Sequence, residues 1–224
     1  MNILVIDVGG THVKLLAADQ TERREFVSGP GLTPVLMVDR VKSLTSDWNY
    51  GAITIGYPGL VVHGRIAAEP ANLGRGWTGF DFGAAFGLPV KLINDAAMQA
   101  LGSYEGGRML FLGLGTGLGS ALIVYGRLEP MELAHLPYRK GRTYEDYLGL
   151  AGLKRLGRHK WRKHVLAVVE LLRKALEPDS VVIGGGNAAR LTHLPPGVRH
   201  GANANAFLGG FRLWPEFRGG DRGP

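Results

Sequence analysis

Two stretches of this chain, "VIDVGGTHVKLLA" at Val5–Ala17 and "FLGLGTGLGSALI" at Phe111–Ile123, follow one plan: an apolar run, a glycine turn carrying a threonine, and a second apolar run. Nothing else in the sequence limits the fold so tightly. Strand, turn and strand recurring about a hundred residues apart describe an internal duplication, and so two lobes of similar build. The second copy must first be cleared of a membrane role, because Met109 to Gly126 holds no charged residue and approaches the ~18 residues at which a span becomes possible. Its glycines at 113, 115, 117 and 119 argue against a helix, where each costs roughly 1 kcal/mol relative to alanine. They read instead as the link between two strands.

Glycine lets backbone N–H groups approach an anion closely, so two such turns can hold one phosphate-bearing ligand from opposite sides. A plain tight hairpin is the competing reading for either turn alone. Other nucleotide motifs are absent. The spacing G-x-G-x-G-x-G leads into the β-like "SALIVY" where a dinucleotide fingerprint would enter a helix, and no G-x-x-x-x-G-K-[ST] occurs.

Around the two copies, strand and helix signals alternate. "TPVLMVDRVKSL" predicts a helix with Val35, Val38 and Val41 beside Leu36 and Leu44; "AITIGYPG" and "PVKLIND" predict strands; "AAMQALGSYEG" begins a helix. "HVLAVVELLRKALEPD" predicts an amphipathic helix stopped by Pro178, and "SVVIGGGNAARL" a strand running through three glycines into another helix. The class is α/β, with the lobe boundary near Asp95: residues 1–95 form an N-terminal lobe, which a helix at 203–214 could rejoin, and residues 96–202 a C-terminal lobe. The tail "EFRGGDRGP" is the one segment that reads as loose.

The chain of 224 residues, 45% hydrophobic, is long enough to bury a core. It has no cysteine, which excludes disulfides and cysteine-ligated zinc and fits a reducing cytoplasm. "MNILVIDVGG" reads as a first strand and not as a signal peptide. The net charge of +7 is local: between Arg139 and Lys163 lie nine basic residues against two acidic ones, Glu145 and Asp146. Such a concentration suits a polyanionic partner, or else a solvated face that keeps the protein soluble.

Six segments in order resemble the ROK branch of the actin-like sugar kinases, and within it the polyphosphate glucokinases: "IDVGGTHVK", "IGYPGLV", "LINDAAMQALG", "LGTGLGSAL", "ELAH" and "VIGGGNA". The resemblance implies two ribonuclease-H-like lobes, a sugar held between them and a homodimer. It implies phosphoryl transfer from inorganic polyphosphate, possible also from ATP, to the 6-hydroxyl of glucose or a related hexose. Asp95 takes the place of the general base and Asn94 that of a sugar ligand, although "ND" before "AAMQAL" equally suits a helix cap. Glu132 and His135 match a sugar-binding Glu-x-Gly-His in which Ala134 replaces the glycine. Glu145, with Asp146 as the adjacent alternative, matches a further sugar-binding glutamate, and Asn72 lines the sugar side.

For the donor, the resemblance assigns Gly9, Gly10, Thr11 and Lys14 from the first motif, Gly115, Thr116 and Gly117 from the second, and Gly184, Gly185 and Gly186 from the third. Asp7 holds Mg²⁺ through water, and the role of His12 stays open. Relatives that carry a three-cysteine zinc site do so after the histidine; this chain has no cysteine there, as in the polyphosphate glucokinases. Lys154, Arg155, Arg158, Lys160, Arg162 and Lys163 are expected to guide a long polyphosphate toward the glycine turns. Three other readings compete: an ATP-dependent hexose or N-acylhexosamine kinase, a non-catalytic sugar-sensing regulator, and a nucleic-acid-binding module. The last is opposed by the acidic residues of the presumed site, and neither a nucleic-acid partner nor a membrane is expected.

Overall fold

The first apolar run forms β1 (Ile3–Val8), which turns back antiparallel as β2 (His12–Ala17), followed by β3 (Arg24–Val27). A computed structural model describes residues 1–202 and 204–215 of the chain. Helix α1 (Pro34–Leu44) starts where Thr33 accepts a hydrogen bond from the Leu36 N–H, with Pro34 opening the first turn. Its buried stripe is Pro34, Met37, Val38 and Val41, an i, i+3, i+4, i+7 row. Val35 and Leu36, expected on that stripe, lie 54% and 44% exposed because the row begins at Pro34.

Then come β4 (Ala52–Tyr57), a small hairpin of β5 (Val61–Val62) and β6 (Arg65–Ile66), α2 (Phe82–Phe86), β7 (Val90–Asn94) and α3 (Asp95–Ser103). The first sheet has the order β3-β2-β1-β4-β7, with β4 and β7 running parallel to β1. Leu4, Ile6, Ile53 and Ile55 point from one face into a core with Met37, Val38, Trp77 and Phe82.

The second apolar pair forms β8 (Arg108–Leu114) and β9 (Leu118–Val124), followed by β10 (Arg127–Met131) and a 3₁₀ turn at Leu133–His135. Helices α4 (Tyr144–Leu148) and α5 (Leu150–Leu176), β11 (Ser180–Gly184) and β12 (Val198–His200) complete a sheet of order β10-β9-β8-β11-β12. That order repeats the first sheet: a meander of three antiparallel strands, then a strand parallel to the first, then another parallel to that. Leu110, Leu112, Leu114, Val181 and Ile183 pack against Trp161, Val165, Val168 and Leu172 of α5.

Helix α5 begins well before the predicted start. Its first part holds Leu150, Leu153 and Leu156 but also Gly152 and Gly157, which weaken the helical pattern, and it breaks at Gly157, whose φ of 74° and ψ of 158° interrupt the helix. After β11, "GGGNAARL" forms one 3₁₀ turn at Ala188–Arg190 and then extended chain at Leu191, not the predicted helix.

The chain divides into two compact units, Met1–Met98 with the chain from Ala206 onward, and Gln99–Asn205, so the division falls within α3. Helix α6 (Asn205–Arg212) lies against the first sheet. Asn203, expected to start that helix, and the tail from Glu216 to Pro224 lie outside the described residues. Thr54 Oγ1 donates to the Gly210 carbonyl at 2.8 Å, Trp214 Nε1 donates to Thr54 Oγ1 at 2.9 Å, and Lys91 Nζ donates to the Leu213 carbonyl at 2.8 Å. A Cβ on Gly210 would stand 2.5 Å from Val5 Cγ1 on β1. Gly210→Ala should therefore cost about 1 to 3 kcal/mol by overpacking, read as a lowered urea midpoint with an unchanged slope.

Candidate active site

In the first sheet, β1, β4 and β7 are parallel, so their C-terminal ends share one edge, the edge where α/β sheets place ligands. Asp7 stands one residue before the end of β1, in register with Gly56 of β4, and Asn94 ends β7 with Asp95 opening α3. Gly56 has the role of a spacer. A Cβ there would lie 2.2 Å from Met98 Cε and 3.8 Å from the Asp95 Cα, so α3 seats on the bare backbone of Gly56, directly beside Asp7. Asp7 and the Asp95 backbone thus both lie beside a position with no side chain.

Asp7 is 14% exposed, and Lys14, its partner across β2, has Nζ 3.9 Å from Oδ2. Burial pushes the Asp7 carboxyl above its ordinary range, and the Lys14 ammonium opposes that shift. Asn94 caps α3: its Oδ1 accepts from the Ala96 and Ala97 N–H groups at 3.0 and 3.1 Å, while its Nδ2 donates to the Gly59 carbonyl at 3.0 Å. The capping reading of "ND" therefore describes Asn94. Asp95 itself is half-buried, and its Oδ1 accepts from the Ala96 N–H at 2.8 Å.

The first glycine turn is held from below by Ser28, whose Oγ donates to the Gly9 carbonyl at 2.6 Å and whose N–H donates to the Thr11 carbonyl at 2.9 Å. Among the described residues, no acceptor is found for the N–H groups of Gly10 and Thr11 in this turn, or of Thr116 and Gly117 in the second. These are the donors an anion would use. Asn72 lies beside Gly10, with its Cβ 3.7 Å from where a Gly10 Cβ would be. The loop bearing it is organised by Glu69, which accepts from the N–H groups of Thr78, Gly76 and Trp77 at 3.0, 3.1 and 3.3 Å and whose carboxyl is held below its usual range by those bonds, Thr78's first.

The second unit answers why glycine occupies four alternate positions. Only Gly115, Thr116 and Gly117 form the turn. Gly113 and Gly119 are strand residues paired with each other, and Gly184 of β11 pairs with Gly113 on the other side, so three glycines form a bare row across three strands. In the first sheet the equivalent row carries Lys14, Asp7 and Gly56. The two copies have diverged in kind: the first holds ionisable groups and the second exposes backbone.

The second turn is braced on two sides. Glu145 Oε2 accepts from the Leu118 N–H at 3.0 Å, an approach that needs Gly117, because a Cβ there would stand 2.1 Å from that oxygen. Leu150 N–H, at the start of α5, donates to the Thr116 carbonyl. From β11, Gly185 at φ 85° lets the chain pass the Leu114 backbone closely, with Gly184 before it and Gly186 after, and Asn187 Nδ2 then donates to the Gly115 carbonyl at 3.0 Å. Glu145 thus commits one oxygen to the turn. Asp146 caps α4, its Oδ2 accepting from the Thr143 N–H at 2.9 Å.

Glu132 and His135 bracket the 3₁₀ turn with Oε2 and Nε2 3.9 Å apart, and both are exposed. Ser120 fixes the segment, donating to the Met131 carbonyl at 2.6 Å and accepting from the Leu133 N–H at 3.2 Å. Of the basic residues, Arg158 donates to the Arg190 carbonyl at 3.1 Å and Arg162 to Thr192 Oγ1 at 3.1 Å. These two brace the chain after the third glycine motif, Arg155 donates to the Asp146 carbonyl at 2.8 Å, and Lys154, Lys160 and Lys163 are exposed on α5.

Ser28, Glu69, Ser120 and Asn187 escaped the sequence reading. Asn187 had a signal, an amide following three glycines; the other three act through partners that no local pattern marks.

The chain is 29% identical over 202 residues to the polyphosphate glucokinase of Mycobacterium tuberculosis, covering 81% of this chain and 76% of that one. Its fold matches the crystal structure of an inorganic polyphosphate/ATP-glucomannokinase from Arthrobacter, with a TM-score of 0.78 at 24% identity, covering 93% of this chain and 96% of that one. It also matches a ROK family glucokinase from Streptomyces griseus in complex with glucose and AMPPNP, with a TM-score of 0.75 at 16% identity, covering 95% of this chain and 99% of that one. The fold is that of the actin-like sugar kinases. The ROK family model matches residues 3–129, which hold both glycine turns, the Asp7–Gly56–Asp95 arrangement and the strands that present them, and the chain belongs to the ROK family.

Proposed function

We propose that this protein is a hexokinase-type phosphotransferase that moves the terminal phosphoryl group of inorganic polyphosphate, with ATP as a second donor, to the 6-hydroxyl of glucose or a close hexose. One observation carries the reading: Asp7 and Asp95 flank the bare position of Gly56 at the ligand edge of the first sheet. The M. tuberculosis relative, named a polyphosphate glucokinase, supports the choice of donor and acceptor.

In the reaction, Asp95 accepts the proton of the 6-hydroxyl, the oxygen attacks the terminal phosphorus, and the bond from that phosphorus to the bridging oxygen breaks. The leaving group is a polyphosphate shorter by one unit, or ADP. Positioning and charge neutralisation supply most of the rate in such transfers. The N–H groups of Gly10, Thr11, Thr116 and Gly117 receive phosphate oxygens, with Gly9 and Gly115 shaping the turns and Lys14 adding its charge. Glu132, His135, Asn72 and the second oxygen of Glu145 bind sugar hydroxyls, while Asn94 holds Asp95 in place through the α3 cap.

Among the described residues no three His, Asp or Glu side chains gather into a cation cage. One buried carboxylate, Asp7, fits Mg²⁺, which keeps most of its waters and binds through few protein oxygens and the phosphates of its substrate. When bound, the ion neutralises donor charge. No helix among the described residues is long and apolar enough to cross a membrane. The reading extends to a cytoplasmic homodimer.

Production of sugar 6-phosphate from a panel of hexoses, each with polyphosphate and with ATP, tests the proposal; sugar phosphate with neither donor would reject it. Glu132→Gln and His135→Ala should raise the sugar KM about tenfold or more with kcat within a few fold, since hydroxyl contacts made in the ground state persist through transfer. Unchanged sugar KM in both variants would move the sugar site elsewhere.

A further inference from the structure

The hairpin between Pro137 and Thr143 sets Tyr138 against His164 of α5 and carries residues 139–142 at its exposed tip. The seam is aromatic. Tyr138 Oη lies 3.1 Å from His164 Nδ1, and the His164 ring meets the Tyr138 and Tyr147 rings edge-on at centroid distances of 5.6 and 4.7 Å. Arg139 sits over the Tyr138 ring at 5.3 Å and Arg155 over the Tyr147 ring at 5.1 Å, so two guanidinium planes are held on rings that both touch His164. Glu145 accepts from the Leu118 N–H and Asp146 from the Thr143 N–H, Arg155 donates to the Asp146 carbonyl at 2.8 Å, and the Thr143 bond together with the charges of Arg142 and Arg155 holds the Asp146 carboxyl below its usual range.

Pre-held guanidinium forks match phosphate oxygens. We propose that Arg139 and Arg155, which flank His164, together with Arg142 of the same hairpin, form a docking site for an inorganic polyphosphate chain, apart from the glycine turns that grip its reacting end. The inference rests on the donor reading above. It relocates the polyphosphate contacts from Arg158 and Arg162, which brace residues 190 to 193, to the hairpin tip.

Two features favour polyphosphate over nucleic acid as the occupant. The faces and edges of Tyr138 and Tyr147 are taken by arginine, histidine and each other, and Tyr144 is buried, so no aromatic platform remains for stacking bases. The site also leads toward the donor turn: Leu150 N–H holds the Thr116 carbonyl, and Arg155 follows five residues on, about 8 Å of helix rise.

The site has its own reporter. Burial, Arg139 and Arg155 together hold the His164 imidazole below its ordinary pKa, with the Tyr138 and Tyr147 rings facing it and Lys160 one turn before it on α5. A bound polyanion would cancel the arginine field and raise that pKa.

The test uses the full chain carrying Arg139→Gln, Lys140→Gln and Arg142→Gln together, all exposed positions on the hairpin tip. Direct binding of long-chain polyphosphate and of tripolyphosphate is measured against salt, beside glucose phosphorylation from ATP. Long-chain affinity should fall about tenfold or more and its log–log salt slope should flatten by about 2, by extension of the counterion rule for single strands. Tripolyphosphate binding and ATP-driven turnover should hold. In the wild type, the His164 ring resonance should titrate at higher pH once polyphosphate is added. Unchanged long-chain affinity, an equal loss for both chain lengths, or an unmoved His164 titration would each overturn the proposal. So would displacement of polyphosphate by a duplex oligonucleotide at equal charge concentration. Loss of sugar phosphorylation with every donor in the wild type would instead reject the proposed function, whatever the binding result.

Discussion

Asp95→Asn should lower kcat by at least about a hundredfold while leaving the sugar KM and the melting temperature close to wild type. The substitution keeps the shape. An asparagine oxygen can still accept from the Ala96 N–H, as Asp95 Oδ1 does at 2.8 Å, and the α3 cap belongs to Asn94. What disappears is the capacity to take a proton. Steady-state kinetics beside thermal unfolding separate the outcomes, and a near-normal kcat would remove Asp95 from proton transfer. Asn94→Ala, by contrast, should lower stability by roughly 1 kcal/mol through loss of the cap.

Asp7→Asn should also cost at least about a hundredfold in activity, yet with a melting temperature at pH 7 equal to or above wild type. The sign follows from the direction of its shift. Burial raises the folded-state pKa above the unfolded value of about 3.9, so the folded state binds more protons between the two. Whatever stability this group contributes is therefore complete below the unfolded value and is lost as pH rises through the folded one. At neutral pH an ionised Asp7 costs stability that Lys14, 3.9 Å away, only partly returns. Asparagine removes that cost, and the gain should shrink as pH falls through the folded-state value, where the wild-type carboxyl takes up its proton. A clear fall in melting temperature at pH 7 would contradict this account of Asp7 as a buried charge kept for its chemistry.

The strands were legible in the sequence because their signal is local. Runs such as ILVI at 3–6 and MLFLGL at 109–114 carry no polar side chain, and the duplication marks where each sheet begins. The glycines were only half legible. Sequence cannot separate Gly115 and Gly117, which turn the chain, from Gly113 and Gly119, which lie in the ladder, since the distinction depends on Gly184 lining up from a segment some seventy residues away. Gly56 was quoted in its motif without a task, because its task is the space that α3 and Asp7 share.

The same holds for charge. Nine basic residues in one segment look uniform in one dimension. Their partners sort them: Arg158 and Arg162 onto the carbonyl and hydroxyl groups of residues 190 to 193, and Arg139 and Arg155 onto tyrosines. Ser28 and Ser120 carry no pattern of their own. Each matters because a hydroxyl meets a carbonyl that another strand brings to it.

The central claim, phosphoryl transfer to a hexose 6-hydroxyl, is tested most directly by following one reaction of the wild-type protein by phosphorus-31 NMR, with glucose, Mg²⁺ and polyphosphate, and again with ATP. The account predicts a growing glucose 6-phosphate signal with each donor, matched by loss of polyphosphate end groups or of the ATP γ-phosphorus. Donor loss that yields only inorganic phosphate, or no sugar phosphate from either donor, would contradict it.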